Sequence, residues 1–290
     1  MCGIVGYVGS EQAAPVLLEG LSRLEYRGYD SAGVAVYSQR EGTLSVHKAK
    51  GRLQVLSDLL QGGAAVEGTV GIGHTRWATH GAPSDVNSHP QVSQGGRIAV
   101  VHNGIIENYA ELKAFLVDKG VTFVSETDTE VVAQLIEYFY DGDLLAAVGR
   151  VLHRIKGAYA LGILCADTPD QLIAVRKDSP LILGYGKGCS FMASDVTAIL
   201  KHTREVGYME DGEIAVLTRD GIQCYNHLMQ PIQKEISHVD WEIDAAEKGG
   251  YEHFMFKEIM EQPEALRRCV FPRIREGEVW FEDFGLSEEY

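Results

Sequence analysis

Cysteine stands second in this chain, behind a methionine of the kind aminopeptidases remove when the next residue is small. Removal would leave Cys2 with a free α-amine beside its thiol, so nucleophile and base would share one residue. Reference pKa values of about 7.7–8.0 for the amine and about 8.5 for the thiol let the amine accept the thiol proton near neutrality without large retuning. Position alone leaves another reading open, in which Cys2 fills a small apolar site at the start of a strand. The histidines His74, His80, His89 and His102 show no ligand spacing of the H-E-x-x-H kind and no carboxylates arranged beside them, so no metal site is expected. The five cysteines are scattered and odd in number, which argues against a disulfide framework and a cysteine-built zinc site. Gly184-Tyr185-Gly186-Lys187-Gly188 reads as a turn rather than a phosphate cradle, because Cys189-Ser190-Phe191 continues as a strand.

What gives Cys2 its weight is the company it keeps. Cys2-Gly3-Ile4-Val5-Gly6 is followed by Arg23-Leu24-Glu25-Tyr26-Arg27-Gly28-Tyr29-Asp30-Ser31-Ala32-Gly33 and Gly73-His74-Thr75-Arg76-Trp77-Ala78-Thr79-His80-Gly81. His102-Asn103-Gly104-Ile105-Ile106-Glu107-Asn108 and Ser125-Glu126-Thr127-Asp128-Thr129-Glu130 complete the series. Over residues 2–240 this ordered set resembles the glutaminase domains of class II glutamine amidotransferases, in the N-terminal nucleophile hydrolase superfamily. The Tyr26–Asp30 and Trp77–His80 stretches are more similar to the branch that aminates fructose 6-phosphate than to amidophosphoribosyltransferase or asparagine synthetase.

The resemblance implies an α+β fold, a four-layer αββα sandwich of two mainly antiparallel sheets. It implies hydrolysis of L-glutamine to glutamate and ammonia through a γ-glutamyl thioester on Cys2, with no cofactor. By the same resemblance the Asn103 amide and the Gly104 backbone N–H stabilise the oxyanion, where one donor is worth about 2.7–4 kcal/mol. Arg76 would bind the α-carboxylate of glutamine through its planar fork, a geometry lysine lacks. Asp128 would meet the α-ammonium, Thr79 and His80 would complete the substrate loop, Trp77 would gate the exit of ammonia, and Arg27 would support the nucleophile. Local pattern offers plainer roles for three of these. Asn103-Gly104 fits a turn, Asp128 fits a helix-start acid behind a Thr127/Glu130 capping box, and Arg27 fits a surface cation closing the Leu17/Leu21/Leu24 helix.

The elements that must position these residues are legible as period. Strands are expected at 4–8, 33–37, 44–47, 70–74, 98–102, 158–164, 171–175, 181–183, 213–217 and 222–225. Helical stripes run through Leu17/Leu21/Leu24, Tyr109/Leu112/Leu116, Val132/Leu135/Ile136/Phe139 and Leu144/Val148/Val151/Leu152/Ile155, with a stop at Lys119-Gly120. A domain over 2–240 is expected to hand over to a connector at 241–290, helical at 251–269 but interrupted by Pro263. That connector leads toward sugar-isomerase domains outside the chain, which would use the ammonia to make glucosamine 6-phosphate. Composition is globular, with 45% hydrophobic and 23% charged residues among 290, and the longest uncharged apolar stretch, Gly157 to Ala166, is too short to span a bilayer. A net charge of −15 argues against nucleic acid and anionic membrane as partners. The start lacks a secretory pattern, so a cytoplasmic chain is expected, monomeric as an isolated domain. Two other readings stay open: a glutaminase serving another acceptor, and a non-catalytic glutamine-binding module.

Overall fold

The computed structural model describes residues 2–240, 250–275 and 278–279. The chain divides into two units, 1–240 and 241–290. In the first, β1 (Gly3–Val8) leads to α1 (Ala13–Ser22), a short 3₁₀ turn at Glu25–Arg27, then β2 (Ser31–Ser38), β3 (Thr43–Lys50), α2 (Leu53–Leu59) and β4 (Val70–Arg76). There follow β5 (Gln91–Val92), β6 (Ile98–Ile106), the helices α3 (Tyr109–Asp118), α4 (Thr129–Phe139) and α5 (Leu144–Leu152), then β7 (Gly157–Cys165) and β8 (Gln171–Lys177). The remainder is β9 (Ile182–Gly186), β10 (Cys189–Ala193), β11 (Glu205–Tyr208), β12 (Ile214–Thr218), β13 (Gly221–Tyr225), β14 (Pro231–Ile232) and β15 (Ser237–His238).

The strands form two sheets. One has the order β15-β11-β9-β10-β1-β4-β2-β3, the other β14-β13-β12-β8-β7-β6-β5, and the registered pairs are antiparallel. Period-2 alternation explains how a single strand serves two layers. In β6, Ala99 and Val101 face the first sheet together with Ala160, Leu164, Leu172 and Ala174, meeting Ile4, Val8, Ala35 and Ile72. Ile98 and Val100 point the other way, with Leu161, Ile163, Ile173 and Val175, onto Leu116, Val132, Leu135, Ile136, Val148 and Val151 of α3, α4 and α5. α1 covers the outer face of the first sheet, where a Cβ at Gly71 would lie 3.0 Å from Leu17 and one at Gly73 3.0 Å from Leu21. Helix, sheet, sheet and helix make the α+β sandwich in four layers.

Three local expectations change. There is no Thr127/Glu130 capping box: α4 starts at Thr129, Asp128 occupies the cap position without capping, and the Glu130 carboxylate accepts the Val124 and Ser125 N–H groups instead. β6 runs past Asn103-Gly104 to Ile106, so that pair lies within a strand and makes no turn. α1 ends at Ser22, leaving Leu24 buried just beyond it.

In the second unit a helix, α6 (Phe254–Val270), passes through Pro263 without interruption. It is followed by a small hairpin of β16 (Ile274–Arg275) and β17 (Glu278–Val279). Segments 241–249 and 280–290, including most of the acidic end, lie outside the described residues. No helix among the described residues is long and apolar enough to cross a membrane.

Candidate active site

β1 is an interior strand, paired to β10 on one side and β4 on the other. Cys2 stands at its head, so the thiol is carried on a strand held along both edges. The register Gly3↔Thr75 and Ile4↔His74 brings Cys2 beside the end of β4. There the Trp77 N–H donates to Cys2 Sγ at 3.2 Å, and the thiol lies 3.6 Å from the Trp77 carbonyl. Gly28 permits the 3₁₀ turn to lie against this strand end, since a Cβ there would sit 2.9 Å from the Arg76 carbonyl carbon. Burial pushes the Cys2 thiol up from its ordinary value, against the lowering pull of the Trp77 hydrogen bond and the Arg76 charge. A thiol held neutral in this way would need a base in order to act as a nucleophile.

Cys2, Arg76, Trp77, Thr79, Asn103, Gly104 and Asp128 line one cavity of about 370 Å³, in the size range of small-molecule sites. The structure therefore gathers seven of the nine expected site residues. The Asn103 amide Nδ2–H donates to Cys2 O at 3.1 Å, and its Oδ1 accepts from His74 Nε2 at 3.0 Å. Gly104 has φ +127, and a Cβ there would lie 2.0 Å from Ala158 O of the neighbouring strand, so this position requires glycine. The Asp128 carboxylate accepts the Ile106 N–H at 2.8 Å, tying the start of α4 to the end of β6. Arg76 is 4% exposed. Its Nη2 donates to the His80 carbonyl and, at 3.2 Å, to Gly81 O, while Nη1 has no hydrogen-bond partner among the described residues.

The other two expected residues stand differently. His80 is not among the described lining residues; its carbonyl receives Arg76 and its ring meets Tyr109 edge-on at 5.4 Å. The Arg27 side chain lies outside the described residues. Trp77 is half exposed and packs edge-on against Tyr29 at 5.3 Å.

Residues the sequence reading passed over also contribute. Ser179, Pro180 and Ser194 line the cavity, and Ser194 Oγ accepts the Ile4 N–H at 3.0 Å. The Asp30 carboxylate accepts the Ala78 N–H and the Ser31 hydroxyl, clamping the strand-end loop. The one signal for Asp30 was its place inside the Arg23–Gly33 block; nothing local marked the serines. His74, His89 and His102 form a buried cluster, of which His89 and His102 line the cavity, with the His74 and His89 rings 4.4 Å apart. Burial pushes His74 down to about 3 and holds His89 and His102 below the ordinary histidine value, with Asp128 opposing that effect at His102. All three are neutral near pH 7.

Two antiparallel sheets between helical layers, with a cysteine heading a central strand over the cavity, make the fold of the N-terminal nucleophile amidotransferases. Residues 74–201 match the glutamine amidotransferase domain family. The chain is 55% identical over 290 residues to a glutamine–fructose-6-phosphate aminotransferase (isomerizing) of Caldanaerobacter subterraneus subsp. tengcongensis and 54% identical over 291 to one of Clostridium perfringens. Each match takes in 100% of this chain and 47% of the relative, so the chain spans about half the length of the curated relatives it matches. Among solved structures, glutamine phosphoribosylpyrophosphate amidotransferase from B. subtilis superposes with a TM-score of 0.68 at 28% identity, over 79% of this chain and 50% of that one. The chain thus carries a glutamine amidotransferase domain.

Proposed function

We propose that the chain hydrolyses L-glutamine through Cys2 and that, in a longer protein, sugar-isomerase domains covalently continuous with it use the ammonia to convert fructose 6-phosphate to glucosamine 6-phosphate. The observation that carries this is the convergence of Cys2, Asn103, Arg76 and Asp128 on one cavity. With Met1 removed, the α-amine takes the thiol proton as sulfur attacks the side-chain carboxamide. One Asn103 N–H is engaged by Cys2 O, which leaves the second for the oxyanion beside the Gly104 N–H. The protonated amine then returns its proton to the departing nitrogen, ammonia leaves, and water opens the thioester to glutamate and free thiol. Arg76 and Asp128 supply opposite charges for the two ends of the amino acid, and Thr79, His80 and Trp77 belong to the loop over it. Arg27 is assigned a supporting role beside the nucleophile.

This acyl transfer uses no cofactor or metal. The aminotransferase names of relatives 54–55% identical to the chain support the sugar acceptor. With a net charge of −15 the protein works without nucleic-acid or anionic-membrane partners; it is a cytoplasmic protein, and its isolated domain is a monomer. The test is glutamate release by the purified chain, coupled to mass mapping of a glutamine-mimicking electrophile. The adduct is expected on Cys2, and Cys2→Ala should release no glutamate while keeping its melting temperature. Undiminished release by that variant would overturn the assignment.

A further inference from the structure

We infer that His74 is the positioning residue that fixes the Asn103 amide in its oxyanion-stabilising orientation; the inference rests on the reading of Asn103 given above. An asparagine amide is nearly symmetric in shape, so packing alone does not choose between oxygen and nitrogen facing the reacting carbonyl. The choice is made by hydrogen bonds. His74 projects from β4 of one sheet to β6 of the other, where its Nε2 lies 3.0 Å from both His102 O and Asn103 Oδ1. A carbonyl oxygen only accepts, so Nε2 must carry the proton. That donor then requires the oxygen of the Asn103 amide to face it, which turns Nδ2 toward Cys2. Three strands are joined by this arrangement: β4 through His74, β6 through Asn103, and the head of β1 through Cys2 O.

A histidine retained only to fill the core would be served by bonds at either nitrogen. Here Nδ1 is buried without a hydrogen-bond partner among the described residues, so the ring's hydrogen bonding is concentrated on the side that faces Asn103. Desolvation keeps the ring uncharged near neutral pH, so the donor is a fixed one and does not come and go with titration there. His74 does not line the cavity and so acts through Asn103, without touching substrate.

Steady-state glutaminase kinetics on the full chain test this with His74→Leu, His74→Asn, His74→Gln, Asn103→Ala and the His74→Leu/Asn103→Ala double variant. Gln carries an amide N–H out to about the Nε2 position, whereas Asn stops short of it. His74→Leu and His74→Asn should each lose about 10²-fold in kcat with KM within about twofold of the parent. Gln should recover most of that loss. The double variant should be no slower than Asn103→Ala alone, because an amide that has been removed has no orientation to lose. Should Leu fail to fold, as judged by its melting transition, the contrast between Asn and Gln decides. Parental kcat in His74→Asn while Asn103→Ala is slow would overturn the positioning role and leave the role of Asn103 standing. Parental kcat in Asn103→Ala would overturn the reading on which this one depends. A fully additive double variant would likewise overturn the inference.

Discussion

At the Arg76 guanidinium, charge and shape make separate contributions. Nη2 is committed to the His80 and Gly81 carbonyls and thereby shapes the loop, while Nη1 remains buried beside the cavity. Arg76→Lys keeps one positive charge but cannot both brace the loop and present a fork to a carboxylate. KM for glutamine should therefore rise roughly 10–100-fold, the loss expected for a charge-assisted hydrogen bond, with kcat less affected. Unchanged KM and kcat would remove Arg76 from substrate capture. Asn103 should show the complementary pattern. On the proposed mechanism Asn103→Ala removes a donor aimed at developing charge, so kcat should fall about 10²–10³-fold while glutamine affinity stays close to the parent's. Wild-type turnover in that variant would contradict the assignment.

β6 carries out two tasks that usually fall to different segments. Its first half is core, alternating between the two layers, while Asn103, Gly104 and Ile105 near its end line the cavity. Gly104→Ala places a Cβ 2.0 Å from Ala158 O and asks alanine to adopt φ +127. The dihedral alone costs about 1–3 kcal/mol, so the urea midpoint should drop and glutaminase activity should be lost with it. An unshifted midpoint would show that the strand relaxes around the methyl group. This strand also marks the limit of what period can reveal. The compact apolar run of Ile98–His102 was readable, as were Ile4–Val8 and the stripes of α3, α4 and α5, because burial writes its pattern into the sequence. Asn103–Ile106 was not readable as strand, since its polar and glycine positions answer to the cavity. α2 was passed over because only Leu53 and Leu56 of its seven residues are buried. The Thr127/Glu130 signature misled because Glu130 finds backbone donors upstream that a local motif does not anticipate. Of the residues that line the cavity, Cys2, Arg76, Trp77, Thr79, Asn103, Gly104 and Asp128 were legible in the motif blocks. Ser179, Pro180 and Ser194 arrive from remote strands and loops, which no local spacing records.

On the scale of the whole molecule, the buried histidine cluster makes the fold sensitive to mild acid. His74, His89 and His102 bind protons less readily when folded than at the ordinary value near 6.5, so the unfolded chain takes up more protons below that pH. Stability is then fully present above about 6.5 and falls as pH drops toward about 3, the folded value of His74, by up to about 1.4 kcal/mol per pH unit for each group. Denaturant midpoints should be level from pH 8 to 7 and decline between 6.5 and 5, above the range where carboxylates titrate. A flat profile down to pH 5 would mean that the cluster is accessible to water. The placement of β1 has a practical corollary for anyone producing the protein. Because its leading end opens onto the cavity, a purification handle left ahead of Cys2 would acylate the amine and crowd the pocket at one stroke, so an affinity tag belongs at the other terminus.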